Sequence, residues 1–482
     1  MPEKRLAPNK ISYSAAISAC EKGGQWQLAL SLLSSMCDLS IVQDAITFNA
    51  AISACEKGGQ WQQAQNLLQR MPGLQVIPNE ISYSATISAF EKGGQWQLAL
   101  SLLSSMPDML VLPNKISYSA AISACGKCGQ WQLALNLLSS MTTMRVFPNE
   151  ISYSAVISAF EKGGQWQLAL NLLSSMPNMR VIPSEICYSA AISACEKGGQ
   201  WQLALGLLSS MPDARIARDE FSYSATISAC EKGGQWQLAL SLLSSMPDMR
   251  VIPNRISYKA AMSACEKGGQ WQQVLSILSS MPHMQVIPNE VSCNAAISAC
   301  EKGGQWQMAL SLLSSMPEMS VAQNEISYNA AISACEKWGP WQWALSLLSS
   351  MPEMTAIPSE ISYSAAISAC ERGGQWQLAL GLLSSMPDAR IARDEISYNA
   401  AIRTCETGGQ WQLALGLLGS MIDSTCLPDA TAYSAAIGAC EKAGKQKPLP
   451  SHLASMSCAA YMSIQVLRPL RTFRIDEPIL GY

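Results

Sequence analysis

The sequence predicts an all-α fold, a right-handed α-solenoid (superhelix) of stacked helix-turn-helix repeats. Three observations carry that prediction. Tryptophan recurs at Trp26, Trp61, Trp96, Trp131, Trp166, Trp201, Trp236, Trp271, Trp306, Trp341, Trp376 and Trp411, and every interval is 35 residues. Around each tryptophan the apolar residues stand three or four apart, as on one face of a helix. Glycine pairs and prolines interrupt that pattern at the same places in nearly every period. A period of about 20–50 residues denotes a solenoid or array, because one unit cannot bury its apolar face alone.

With position 1 of the repeat set at Lys10, residues 1–9 form a lead-in and residues 10–429 hold twelve complete repeats. Residues 430–464 form a degenerate thirteenth, with Gln446 in place of tryptophan and Pro448 and Pro450 where a second helix would run; residues 465–482 are a tail. The first helix of each repeat covers positions 1 to 13, as in KISYSAAISACGK, where Tyr118, Ile122 and Cys125 share one face. The residue before it is Asn, Asp or Ser, whose side chain accepts from the free amides of the first turn. A Gly-Gly pair ends most copies and supplies a left-handed turn. The second helix is QWQLALSLLSSM, with Trp96, Leu100, Leu103 and Met106 as its apolar face. Pro340 falls at its first position, where proline is tolerated. Prolines such as Pro107 and Pro212 follow the closing Met and stop the helix.

Composition narrows the function classes. Of 482 residues 49% are apolar and 14% charged, the net charge is −3, and only His283 and His452 are histidines. No global basic field, His-based catalytic centre or span of about 18 apolar residues is present. Eleven of the seventeen cysteines fall at position 11, from Cys20 and Cys55 to Cys405 and Cys440, and Phe90 or Phe160 replaces them twice. A site that accepts Phe is packed core, and unbridged thiols point to a reducing compartment. Cys125 and Cys128 form a lone Cys-x-x-Cys without a second pair or a nearby His, which argues against zinc. The tryptophans read as packing between repeats. No catalytic constellation, cofactor, metal, membrane or small-molecule substrate is expected.

Two helices per unit, a 35-residue period and a closing Pro-Asn or Pro-Ser before Ile-Ser-Tyr-Ser/Asn resemble the pentatricopeptide repeat family. ISYSAAISACEKGG is close to that family's first helix, and LALSLLSSM with a proline after it is close to its second. The competing tetratricopeptide repeat has a period of about 34 and other aromatic positions. The resemblance implies sequence-selective binding of single-stranded RNA, about one base per repeat, in organellar RNA processing, stabilisation or translation. It implies a mitochondrial or chloroplast location. No transit peptide is visible, so the cytoplasm stays open, and RNA-processing proteins are candidate further partners.

By the same resemblance, bases are read at positions 5 and 35 and wedged apart by position 2. Helical spacing agrees, because positions 2, 5, 9 and 12 share one face of the first helix. The position 5 and 35 pairs are Ser14 and Asp44, Asn49 and Asn79, Ser84 and Asn114, Ser119 and Asn149, Ser154 and Ser184, Ser189 and Asp219, Ser224 and Asn254, Lys259 and Asn289, Asn294 and Asn324, Asn329 and Ser359, Ser364 and Asp394, and Asn399 and Asp429. The wedges are Ile11, Ile46, Ile81, Ile116, Ile151, Ile186, Phe221, Ile256, Val291, Ile326, Ile361 and Ile396. An Asp suits the ring N–H of guanine or uracil, and an Asn amide can donate to the bare ring nitrogen of adenine or cytosine. A short Ser at position 5 leaves room for a purine, while Asn reaches a pyrimidine. The array then reads 5′-G-Y-A-A-A-G-A-N-Y-C-G-U-3′, with repeat 8 unread because of Lys259.

Position 13 offers one cation per repeat for the phosphates: Lys22, Lys57, Lys92, Lys127, Lys162, Lys197, Lys232, Lys267, Lys302, Lys337 and Arg372. The Glu usually beside it at position 12 neutralises its neighbour, and a solvated lysine at a helix end is the competing reading. Helix capping alone competes for position 35, and a solvated polar residue for position 5. A second functional class stays open, a helical-repeat scaffold that binds a protein or peptide, as does an array without an assigned target.

Overall fold

The computed structural model describes residues 9–352, 356–424 and 426–443. Most of the lead-in, the second half of the thirteenth repeat and the tail lie outside the described residues. Among those described, 25 α-helices and three 3₁₀ turns follow one another with no strand. The chain divides into two compact units, residues 1–264 and 265–482.

The architecture within each unit is the same. The first helices of successive repeats pack side by side as one layer, and each second helix rests on the first helices of its own and the following repeat. Repeat 3 shows how the sequence builds this. Its first helix, Glu80–Lys92, buries Tyr83, Ile87, Ala89 and Phe90. Its second, Trp96–Ser105, buries Ala99 and Leu103, with Met106 sealed just beyond its end. A helix of 10 to 13 residues is marginal alone, so this shared burial is what holds it. The deepest residue early in the second helix is an alanine, Ala99, with Trp96 and Leu100 only half-buried. The tryptophan lies instead across the junction between repeats.

The glycine pair divides two tasks. A Cβ on Gly58 would stand 2.3 Å from Cδ1 of Trp26, so the first glycine makes room for the preceding repeat's indole. Gly59 has φ +68° and open space around it, so only the second supplies the left-handed turn. Three local expectations are corrected. Pro340 is the N-cap of the helix that begins at Trp341, not its first residue, because these second helices start at the tryptophan. Pro72 lies inside its helix, Trp61–Gly73, one residue before the end, so the helix runs past it. Pro107 begins a 3₁₀ turn, Pro107–Met109, which carries the chain to Leu110 at φ 58°. From there the amide of Val111 donates back to the carbonyl of Met106 at 3.0 Å, closing the second helix without glycine.

Candidate nucleic-acid interface

The layer of first helices presents three parallel rows of side chains within each unit. The outermost is position 2. All twelve residues there are exposed, from 45% at Val291 to 76% at Ile11, although the helices that carry them are otherwise buried on two sides. Such a ladder of solvent-facing Ile, Val and Phe has no partner among the described residues, and a regular exposed apolar row marks a binding surface.

The second row is position 35, whose Asn and Asp members cap the following first helix, while the side chain of Ser184, contrary to expectation, makes no cap bond and turns to Cys187. The Oδ1 of Asn79 accepts from the amides of Ile81 and Ser82, each at 3.1 Å, and that of Asp219 accepts from Ser222 at 2.8 Å. In most repeats the Ser or Thr at position 3 completes a capping box, as Ser82 does for Asn79. Capping is therefore real, and it also sets orientation. With Oδ1 committed to the helix, an Asn turns its amide outward as a donor and an Asp its second oxygen as an acceptor.

The third row is position 5, and it meets position 35 across 30 residues of chain. Nδ2 of Asn49 donates to Oδ1 of Asn79 at 3.1 Å, and Oγ of Ser84 donates to Asn114 at 3.4 Å. Ser224 with Asn254, Asn294 with Asn324, Asn329 with Ser359 and Asn399 with Asp429 meet at 3.2–3.4 Å. Elsewhere the position 5 hydroxyls of Ser14, Ser154 and Ser189 turn to their own helix, and that of Ser119 meets Ser152 of the next repeat at 3.2 Å. Lys259 is exposed. The Oδ1 of Asn49 accepts from Ser82 at 2.6 Å, but the matching atoms of Asn294 and Asn399 are buried with no partner among the described residues, as Ser327 turns to the Asn324 carbonyl and Ala432 has no hydroxyl.

Two features were not legible in the repeat consensus. Position 1 bears on position 35 of the same repeat. Lys10 pairs with Asp44 at 2.8 Å, while Glu80, Glu220 and Glu290 accept from the amides of Asn114, Asn254 and Asn324. Burial works to raise the Asp44 carboxyl, but Lys10 and Thr47 outweigh it and hold it below its ordinary value. Glu185 faces Asp219 instead, and desolvation followed by that neighbouring carboxylate pushes it up.

The other feature is the partner of the position 13 cation. The Glu at position 12 pairs with the lysine of the next repeat, not its chain neighbour: Lys57 with Glu21, Lys92 with Glu56, Lys127 with Glu91, Lys197 with Glu161 and Lys232 with Glu196, at 3.0–3.3 Å. Lys302 and Lys337 continue the ladder in residues 265–482. Serine at position 9 donates to the same carboxylates, as Ser123 does to Glu91 at 2.7 Å.

Two cavities open on this face within residues 1–264, one of about 730 Å³ along Ile116, Ile151 and Ile186, and one of about 620 Å³ along Ile186, Phe221 and Ile256. Both are lined by positions 2, 5 and 9, so the structure brings the position 2 and position 5 rows together in one groove wall. The cysteines stay outside it. The sixteen described are free, and burial pushes the Cys55, Cys125 and Cys195 thiols up to about 11.

Repeat models match along the chain. One described as the PPR repeat family covers residues 113–162 and 288–337, and a pentatricopeptide repeat domain covers 31–93. A single-repeat PPR model covers 11–41, 81–109, 151–181, 186–216, 221–251, 326–354 and 361–391. Together they span more than half of the sequence. The crystal structure of the pentatricopeptide repeat protein PPR10 from maize is similar in fold, with 18% identity, 97% of this chain and 75% of that one covered, and a TM-score of 0.57. PPR10 in complex with an 18-nt psaJ RNA element aligns at 17% identity over 96% and 82% of the two chains, with a TM-score of 0.48. Yeast Rmd9p in complex with a 16-nt target RNA aligns at 11% identity over 87% and 94%, with a TM-score of 0.39. No protein of curated function matches the sequence.

Proposed function

The chain belongs to the pentatricopeptide repeat family, and from that premise we propose that it binds single-stranded RNA along its first-helix wall, one base per repeat. The observation that carries the reading is the pairing of positions 5 and 35 by hydrogen bonds in six repeats, beside an exposed apolar row in each unit. Bases stack against the position 2 side chains, and their pairing edges meet the two polar residues between them. The cap gives the code a physical origin. Asn114 and Asn254 each have a second amide proton to offer adenine beyond the one given to Glu80 or Glu220, whereas Asp44 and Asp219 offer a remaining carboxylate lone pair to the ring N–H of guanine. The protein acts by occupying its transcript, in organellar processing, stabilisation or translation.

The test is fluorescence anisotropy of the purified chain with the RNA 5′-GYAAAGANYCGU-3′ against its permuted sequence, the DNA version and a duplex. A preference of about tenfold, or 1.4 kcal/mol, for the single-stranded RNA is expected. Binding to none of them by the folded protein overturns the reading. The Glu–Lys ladder, which leaves little free positive charge, favours the alternative of a peptide-binding scaffold, and that outcome would direct the search there.

A further inference from the structure

The ladder has one interior gap in residues 1–264. Repeat 4 carries Gly126 at position 12, where Glu21, Glu56, Glu91, Glu161, Glu196 and Glu231 stand in its neighbours. Lys162, which would pair with that position, has no carboxylate partner among the described residues, while Lys127 and Lys197 on either side are paired at 3.0 Å. Gly126 is buried, and a Cβ there would come within 3.0 Å of Ala159 Cβ and 3.3 Å of the Ala155 carbonyl. The two first helices are thus close enough at this level that a side chain at 126 would require Ala159 and Ala155 to give by a few tenths of an ångström. The larger of the two cavities lies along this gap, with Lys162 in its wall. The two glutamates in that wall, Glu91 and Glu161, are already committed to Lys127 and Lys197. Lys115, which also lines it, stands at position 1, where most repeats carry Glu, and adds a second uncompensated charge.

We propose that the glycine at 126 makes Lys162 the seat of one RNA backbone phosphate, and that this single seat sets the register of the strand along the repeats. The inference rests on the RNA-binding reading. Its physical content is that a cation held by a carboxylate must give up that partner to meet a phosphate, whereas Lys162 gives up only water. Along the row of position 13 lysines between Lys57 and Lys232, the strand therefore has one preferred point of electrostatic contact, beside the fifth base.

The test uses the full chain and the twelve-nucleotide RNA above. Lys162→Ala is expected to weaken binding by about tenfold and to lower the slope of log affinity against log salt by about 0.7, the value for one single-strand phosphate. Lys92→Ala, which removes a paired lysine, is expected to change affinity by less than about twofold. A scan of single uncharged methylphosphonate linkages along the RNA should show its largest loss beside the fifth base, and that loss should vanish in Lys162→Ala. Equal effects of the two lysine substitutions, or a flat linkage scan, overturn the register seat while leaving RNA binding intact. Gly126→Glu should reproduce Lys162→Ala; circular dichroism establishes that it folds, and the lysine variants decide the matter if it does not. Failure of the unaltered protein to bind any RNA overturns the base-reading proposal itself.

Discussion

The two groove cavities of residues 1–264 share a design and differ in charge. Both are floored by three position 2 side chains and lined by serines at positions 5 and 9. The first has Lys115, Lys127 and Lys162 in its wall against Glu91 and Glu161. The second has Glu161, Glu185, Glu196 and Asp219 and no cation. A handful of substitutions in a nearly clonal repeat produces this contrast: Lys115 for Glu at position 1, Gly126 for Glu at position 12, and Asp219 for Asn at position 35. The lesson is that the scaffold fixes where a base can lie, while positions outside the reading pair set how welcome a polyanion is there.

The harshest way to break the comparison is to remove its scaffold on one side. Trp131 packs against Gly163, whose Cβ would fall 2.5 Å from its ring, and lies 6.1 Å from Phe160. Trp131→Ala should cost about 3 kcal/mol, the lower end for losing a large aromatic, because the indole is only partly buried. Repeats contact only their neighbours, so hydrogen exchange should rise across residues 115–162 and much less across 220–251. Uniform loss of protection would mean that the two cavities are one cooperative object.

A smaller effect tests chemistry in the second cavity. Asp219→Asn replaces an acceptor with a donor while keeping the cap, since Oδ1 still serves the Ser222 amide. The sixth base preference should move from guanine toward adenine, by about 1–3 kcal/mol in anisotropy with the two RNAs. An unchanged preference would reduce position 35 to capping.

Glu185 gives a pH signature to the same cavity. Its folded carboxyl is raised, by desolvation first and Asp219 second. The folded state therefore holds a proton that the unfolded state releases, and this contribution to stability is present below the ordinary value of 4.5 and lost as pH rises through the raised one. Thermal melts from about pH 4 to 7 should show that decline for the unaltered protein relative to Glu185→Gln. Parallel profiles would mean that Glu185 and Asp219 do not meet in solution.

The fold was legible because repetition makes the apolar period and the glycine pair visible many times over. The caps were legible too, since Asn, Asp or Ser before each first helix has one local task. What stayed hidden is contact between repeats. Glu56 and Lys57 are adjacent in the chain and look like a neutral pair, yet Glu56 reaches Lys92 and Lys57 reaches Glu21. Glu80 and Asn114 are 34 residues apart and nothing in either segment announces their bond. Gly126 reads as a slightly weakened helix until its closeness to Ala159 is known.

The smallest effect sharpens the comparison most. Lys197 and Glu161 form a partly exposed ion pair at 3.0 Å on the rim between the cavities. Exposed pairs contribute about 0.2–1 kcal/mol, so Lys197→Ala should lower stability by no more than that in low salt. The difference should disappear near 1 M salt, where screening acts within about 3 Å. Lys162→Ala should leave stability unchanged at either salt concentration, because no carboxylate among the described residues holds Lys162. Paired denaturant titrations of the two variants measure this difference directly. Should Lys162→Ala cost as much as Lys197→Ala, with the same salt dependence, then Lys162 also has a carboxylate partner in solution. The charge contrast between the cavities would then be reduced to Lys115 and Asp219.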